Sequence, residues 1–202
     1  MKLKKVTVIL VLIFIFIILL ICNYKKINFG NNIISKSTED IATDILNTKS
    51  YTAVINVIVN SNKNTNEYKL KQEWKDGKFT QEVIENEEIG KVKIEFDGNN
   101  LSIKNANLNL EKIYENYEWV ANNYLFLNTF IEDYKNSNDS KCYEEKNYII
   151  LETSVTNVKN KYIYTKKIYV KKESGKIEKM ELLDSKQKGT IYILYNEIEL
   201  SK

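Results

Sequence analysis

From Ser50 to the C-terminus, apolar and polar residues alternate with a period of two. Tyr51, Ala53, Ile55, Val57 and Val59 interleave with Thr52, Asn56 and Asn60. Tyr68, Leu70, Gln72 and Trp74 interleave with Glu67, Lys69, Lys71 and Glu73, and Val92, Ile94 and Phe96 with Lys91, Lys93, Glu95 and Asp97. Successive side chains of a strand point to opposite faces. The pattern therefore dictates antiparallel strands with one face on a core and the other in water.

Five of the six glycines (Gly77, Gly90, Gly98, Gly175, Gly189) fall between such runs, where tight turns need positive φ. Asp76-Gly77 and Asp97-Gly98 are the clearest hairpin signals. Further strands are expected over Phe79–Glu85, Leu101–Lys104, Leu108–Tyr114, Tyr148–Val155, Tyr162–Lys171, Ile177–Leu183 and Thr190–Leu200.

Two segments break the alternation. Ser37-Thr38-Glu39-Asp40 reads as a capping box with Asp in the Glu position, and Ile41, Ala42, Ile45 and Leu46 follow at helical spacing, predicting a helix over 37–48. Phe126, Phe130 and Tyr134 share a helical stripe, with Leu127 and Ile131 beside it, predicting a second helix over 122–136. A long meander must curl or close to hide its apolar face. The expected fold class is mainly β (α+β): a curved antiparallel half-barrel of about ten or eleven strands, with two short helices as a lid and an N-terminal membrane-anchor helix.

Composition narrows the chemistry. All 30 basic side chains are Lys, and the 202 residues include no His, the commonest general base and metal ligand. Five of the lysines (Lys2, Lys4, Lys5, Lys25, Lys26) bracket the first apolar run; the other 25 face 27 Asp and Glu, so the rest of the chain carries −2. That is an ordinary mixed surface without the basic stripe of a nucleic-acid reader. Cys142 is the one thiol beyond the N-terminal run, so neither a disulfide framework nor a thiolate zinc site is expected.

Val6 to Cys22 is uncharged, and at about 1.5 Å per residue it approaches the thickness of a bilayer core. The lysines before it orient the rest of the chain outside the cytoplasm. Three fates are open: a cleaved secretory signal, a lipoprotein signal acylated at Cys22, or an uncleaved anchor. Leu19-Leu20-Ile21 offers no small residue for cleavage, and Ile21 is bulkier than the residue that usually precedes an acylated Cys. The expected organisation is a signal or membrane anchor over 1–26, a spacer over 27–36 and one domain over 37–202, tethered to the outer face of the cytoplasmic membrane.

No catalytic or metal-binding residues are expected, and no cofactor. Glu87-Glu88 and Glu144-Glu145 are adjacent acids, which on a strand diverge to opposite faces. Asp184 to Gly189 lacks the alternating oxygen ligands of a calcium loop. Ser185-Lys186-Gln187-Lys188 matches Ser-x-x-Lys, but lies in an expected hairpin turn without the companion motifs.

The remaining feature is aromatic: fourteen Tyr, seven Phe and two Trp. Tyr114, Tyr117, Trp119, Tyr124 and Phe126 crowd the approach to the second helix, and Phe130 lies within it. Tyr114, Tyr117, Trp119, Phe126 and Phe130 are the candidates for a hydrophobic pocket or a partner-binding patch. The competing reading is core packing on strands that favour aromatics.

The order of elements resembles the lipoprotein-carrier fold (LolA-like and LolB-like). The resemblance rests on a helix leading into Ser50-Tyr51-Thr52-Ala53, on Phe79-Thr80-Gln81-Glu82-Val83 followed by Asp97-Gly98-Asn99-Asn100-Leu101, and on Gly175-Lys176-Ile177 with Leu182-Leu183-Asp184. Leu108-Asn109-Leu110-Glu111-Lys112-Ile113-Tyr114, Asn128-Thr129-Phe130-Ile131-Glu132-Asp133-Tyr134 and Tyr192-Ile193-Leu194-Tyr195-Asn196-Glu197 are more specifically similar to the germination lipoprotein (GerS) group. The resemblance implies an exported, non-catalytic protein of the spore envelope that binds and supports a cortex N-acetylmuramoyl-L-alanine amidase. The carrier fold implies the alternative, a carrier or sensor of a lipid or other hydrophobic ligand. The carriers' Pro and Arg near Lys78-Phe79-Thr80-Gln81-Glu82 are absent here.

Overall fold

The computed structural model describes residues 37–61, 63–85, 91–117, 124–156 and 162–202. Helix α1 (Thr38–Leu46) opens with the expected capping box: the Asp40 N–H donates to Ser37 Oγ (3.1 Å), and the Ser37 N–H donates to Asp40 Oδ2 (3.3 Å). Two orphan donors of the first turn are satisfied reciprocally. Ile41, Ala42 and Ile45 form its buried face.

Six strands follow: β1 (Ser50–Asn60), β2 (Thr65–Lys75), β3 (Lys78–Glu85), β4 (Val92–Phe96), β5 (Leu101–Asn105) and β6 (Leu110–Tyr114). Helix α2 (Leu127–Asn136) interrupts them before β7 (Lys141–Glu145), β8 (Tyr148–Ser154), β9 (Thr165–Lys171), β10 (Ile177–Leu183) and β11 (Gly189–Ser201). All eleven join one sheet in the order β6-β5-β4-β3-β2-β1-β11-β10-β9-β8-β7. Every pairing is antiparallel. The first and last strands thus meet in mid-sheet, with Tyr51 opposite Leu200 and Ile55 opposite Tyr195. The sheet is open, with β6 and β7 at its two edges.

That order positions the lid. Strands β6 and β7 are consecutive in the chain but lie at opposite edges, so their connection must cross a face of the sheet. Helix α2 lies in this connection and buries Leu127, Phe130 and Ile131. The sheet curls around it. Strands β3 and β9 are five intervals apart, about 24 Å on a flat sheet. Yet the ring of Phe126, the N-cap of α2, lies 4.9 Å from that of Phe79 on β3, and Thr129 three residues later bonds Lys166 on β9. One contiguous core results, drawing on both halves of the sheet and both helices.

Turn chemistry follows the glycines. Asp76 (φ 51°) and Gly77 (φ 73°) make a two-residue loop between the paired Lys75 and Lys78, the mirror-image turn that suits strand twist. The second Asp-Gly behaves differently. Residues 97–100 form a four-residue loop with Gly98 at φ 103°, in which Asp97 Oδ1 accepts from the N–H groups of Asn99 (2.8 Å) and Asn100 (2.7 Å). Those bonds hold the Asp97 carboxyl below the usual range.

Three differences from expectation have physical causes. Strand β7 was not foreseen: Lys141-Cys142-Tyr143-Glu144-Glu145 is an edge strand, mostly exposed, so no apolar period marks it. Helix α2 starts at Leu127 rather than near 122, because Phe126 is held extended (ψ 140°) as its N-cap. Strand β6 starts at Leu110, since Asn105 Oδ1 captures the Leu108 N–H at 3.1 Å and makes a turn there. The expected anchor over 1–26 and spacer over 27–36 lie outside the described residues. Among the described residues, no helix is long and apolar enough to cross a membrane.

Candidate functional site

The underside of α2 is held by polar groups set into an apolar surface. Tyr51 and Gln72 face inward on β1 and β2 and are buried. The Leu127 N–H, an orphan donor of the helix's first turn, donates to Tyr51 Oη at 3.2 Å, and Tyr51 Oη donates to Gln72 Oε1 at 3.3 Å. Gln72 Nε2 donates to Gln81 Oε1 (3.0 Å) and to the Leu125 carbonyl (3.4 Å). Burial, with Tyr195 adding to it, pushes the Tyr51 phenol well above its ordinary value, so it remains a donor.

A second anchor fixes the far side of the helix. Lys166 Nζ lies 2.7 Å from Asp133 Oδ2, with the two side chains 0% and 8% exposed. The ammonium also donates to Thr129 Oγ1 (3.2 Å) and sits 5.4 Å from the centre of the Tyr124 ring. Asp133 Oδ1 accepts from the Thr156 N–H (3.1 Å) and Oγ1 (2.8 Å). Burial draws the Lys166 amine below its ordinary range, against the opposing pull of Asp133. Neither residue was singled out from sequence. The signal available was register: Lys166 shares its face of β9 with Ile168 and Val170, both fully buried.

Between these anchors the concave face is filled. Phe126, Leu127 and Phe130 are 0% exposed and pack among Phe79, Leu151, Ile168 and Met180. Phe126 and Phe130, two of the pocket or patch candidates, are thus core residues. A recess of about 430 Å³ remains at the hairpin end, lined by Trp74, Phe79, Phe96 and Tyr117, with Asn128 and Glu132 of α2 on its lid side.

Tyr114 and Tyr117 come together, their ring centres 6.2 Å apart. Tyr114 belongs to an exposed group at the β6 edge that includes Leu108, Leu110 and Ile113, and Lys112 Nζ lies 5.0 Å from its ring. Trp119 and Cys22 lie outside the described residues.

A further aromatic surface escaped the sequence reading. On the outer face of β7–β10, Tyr143, Tyr148 and Tyr169 donate to Glu152 (2.9 Å), Glu178 (2.5 Å) and Glu181 (2.8 Å). Lys167 and Lys179 pair with Glu152 and Glu181. These tyrosines come from three strands, so only the pairing assembles them. Among the described residues, no group of three or more His, Cys, Asp or Glu is placed to hold a metal ion.

One solved structure that matches is that of the CwlD amidase from Clostridioides difficile in complex with the GerS lipoprotein, at 26% identity and TM-score 0.51 over 80% of this chain and 92% of that one. An uncharacterised conserved protein from Thermus thermophilus shares the fold at TM-score 0.51 and 10% identity, over 83% of this chain and 89% of that one. A LolA superfamily protein from Nitrosomonas europaea matches at TM-score 0.42 and 9% identity, over 83% and 94%. No curated protein sequence matches the chain. The model of the sporulation protein YdcC-like family matches residues 4–202, and the chain belongs to that family.

Proposed function

We propose that this chain is a membrane-tethered, non-catalytic protein of spore formation that binds and supports a cell-wall N-acetylmuramoyl-L-alanine amidase of the cortex. The similarity to the GerS complex carries the reading, because it runs along most of both chains at 26% identity and comes with a sporulation family match. The tether is the N-terminal apolar run, either acylated at Cys22 or left as an uncleaved anchor. The exposed group at the β6 edge (Leu110, Ile113, Tyr114) with neighbouring Tyr117 is the proposed contact surface, since exposed apolar patches mark interaction sites and Tyr is enriched among the residues that carry binding energy.

The packing weighs against the alternative of acyl-chain carriage. Side chains of α2 and its N-cap occupy the concave face where a chain would lie, and Phe126, Leu127 and Phe130 are fully enclosed. The experiment is affinity capture of the tagged protein from sporulating cells, together with a deletion strain. Enrichment of a cell-wall amidase and a cortex with altered muramic acid modification are expected. Capture without an amidase, together with a normal cortex in the deletion strain, would sink the reading.

A further inference from the structure

The recess at the hairpin end holds a carboxylate that the lid anchors do not use. Glu132 lies one turn beyond Asn128 on α2 and accepts a hydrogen bond from its side chain. It forms no ion pair among the described residues, whereas Lys166, the ammonium that acts on it, is committed to Asp133 at 2.7 Å. Lys166 is Asp133's partner, and Glu132, an exposed residue of α2, stands at the recess without a cation of its own among the described residues.

The other walls are aromatic: Trp74, Phe79, Phe96 and Tyr117. The rim is fixed, for Asn99 Nδ2 donates to Asn116 Oδ1 (3.3 Å) and the Tyr117 N–H donates to the Asn99 carbonyl (2.7 Å). At Gly77 and Gly98 the rim borders open space, since a Cβ at either would meet nothing within 4 Å.

Ring faces carry the negative part of the aromatic quadrupole and attract cations, most strongly at Trp. A carboxylate beside them accepts N–H bonds and balances the charge. An acyl chain would cover the Glu132 carboxylate without offering it a partner, and an anion would be repelled by it. We propose that this recess binds an alkylammonium group of lysine or diamino-acid type, with Glu132 as counter-ion and the Trp74 and Tyr117 rings as walls. About 430 Å³ accommodates such a side chain. The assignment does not depend on an amidase partner.

Glu132 is exposed as a residue, but partial desolvation of its carboxyl, and after it the like charge of Asp133, raise it above its ordinary value. Lys166 and the Asn128 side chain oppose that shift. Loading a cation draws the proton off Glu132, so affinity rises with pH through the raised pKa.

The test is calorimetric titration of the full-length protein in neutral detergent with Nα-acetyl-L-lysine amide, its uncharged norleucine analogue, and 1,5-diaminopentane. The lysine probe should bind saturably, at least about tenfold tighter than norleucine, and Glu132→Gln should lose a similar factor without moving the thermal midpoint. Binding should tighten between about pH 4 and pH 7. Diaminopentane matching the lysine probe points to a free amine as ligand, and weaker binding to an amine carried on a peptide. No saturable binding, equal binding of lysine and norleucine, or an unaffected Glu132→Gln variant would overturn the assignment.

Discussion

Lys166 and Asp133 join strand β9 to the lid helix by a 2.7 Å ion pair from which water is almost wholly excluded. Each charge is tolerated there only because the other, with Thr129 and Thr156, satisfies it. Lys166→Met should therefore destabilise the protein by about 3–5 kcal/mol, by leaving a buried carboxylate unpaired. Lys166→Met combined with Asp133→Leu should recover most of the loss. Urea unfolding of the two variants reads the difference; a single variant costing below about 1 kcal/mol would show that the pair is not a latch.

Tyr51 makes the complementary anchor at the start of α2. Tyr51→Phe removes the acceptor for the Leu127 N–H and the donor to Gln72, both buried, at a cost of about 1–3 kcal/mol. Amide exchange at Leu127 should accelerate ahead of exchange in β1. Unchanged exchange would place the helix start under other control.

Alkaline pH tests the buried phenols. Burial and the bond to Glu152 push Tyr143 up to about 12, and burial raises Tyr51 and Tyr195 above the ordinary 10.0. Unfolded tyrosines release protons near pH 10 while these folded ones retain them. Their stabilising contribution is thus complete below pH 10 and lost as pH rises above it. Chemical denaturation at increasing pH should show stability falling from pH 10 upward, with a tyrosine subset ionising only on unfolding. Full tyrosine titration in the folded state would contradict the burial.

Much of this architecture was legible in advance. Wherever one face is buried and the other wet, the period of two appears: β1 lies where Tyr51, Ala53 and Ile55 alternate with uncharged neighbours such as Thr52 and Asn56, and β2 and β4 where Leu70 and Ile94 alternate with charge. The α1 cap could be read because its bonds are local. Strand β7 was hidden because an exposed edge needs no alternation. Lys166 read as one more lysine in Lys166-Lys167, since its burial depends on a helix thirty residues earlier. The recess was half legible: Tyr117 stood out as an aromatic, but strand register is what lines up Trp74, Phe79 and Phe96, and the crossing helix is what brings Glu132 to them.

The β6 edge separates binding from folding. Leu110 and Ile113 are 62% and 57% exposed, so Leu110→Lys and Ile113→Lys should leave stability within about 0.5 kcal/mol. If this edge meets the amidase, the same variants should weaken the complex by about tenfold or more. Wild-type affinity in both variants would move the contact elsewhere, the Tyr143–Tyr148–Tyr169 face being the next to test.

The central claim is tested most directly by titrating the purified full-length protein, in neutral detergent, into its own organism's cortex amidase and measuring heat and stoichiometry. A saturable complex of fixed stoichiometry, together with no muropeptide cleavage by this chain alone, is the predicted result. An active, folded amidase that gives no binding heat and elutes separately from this protein would contradict it.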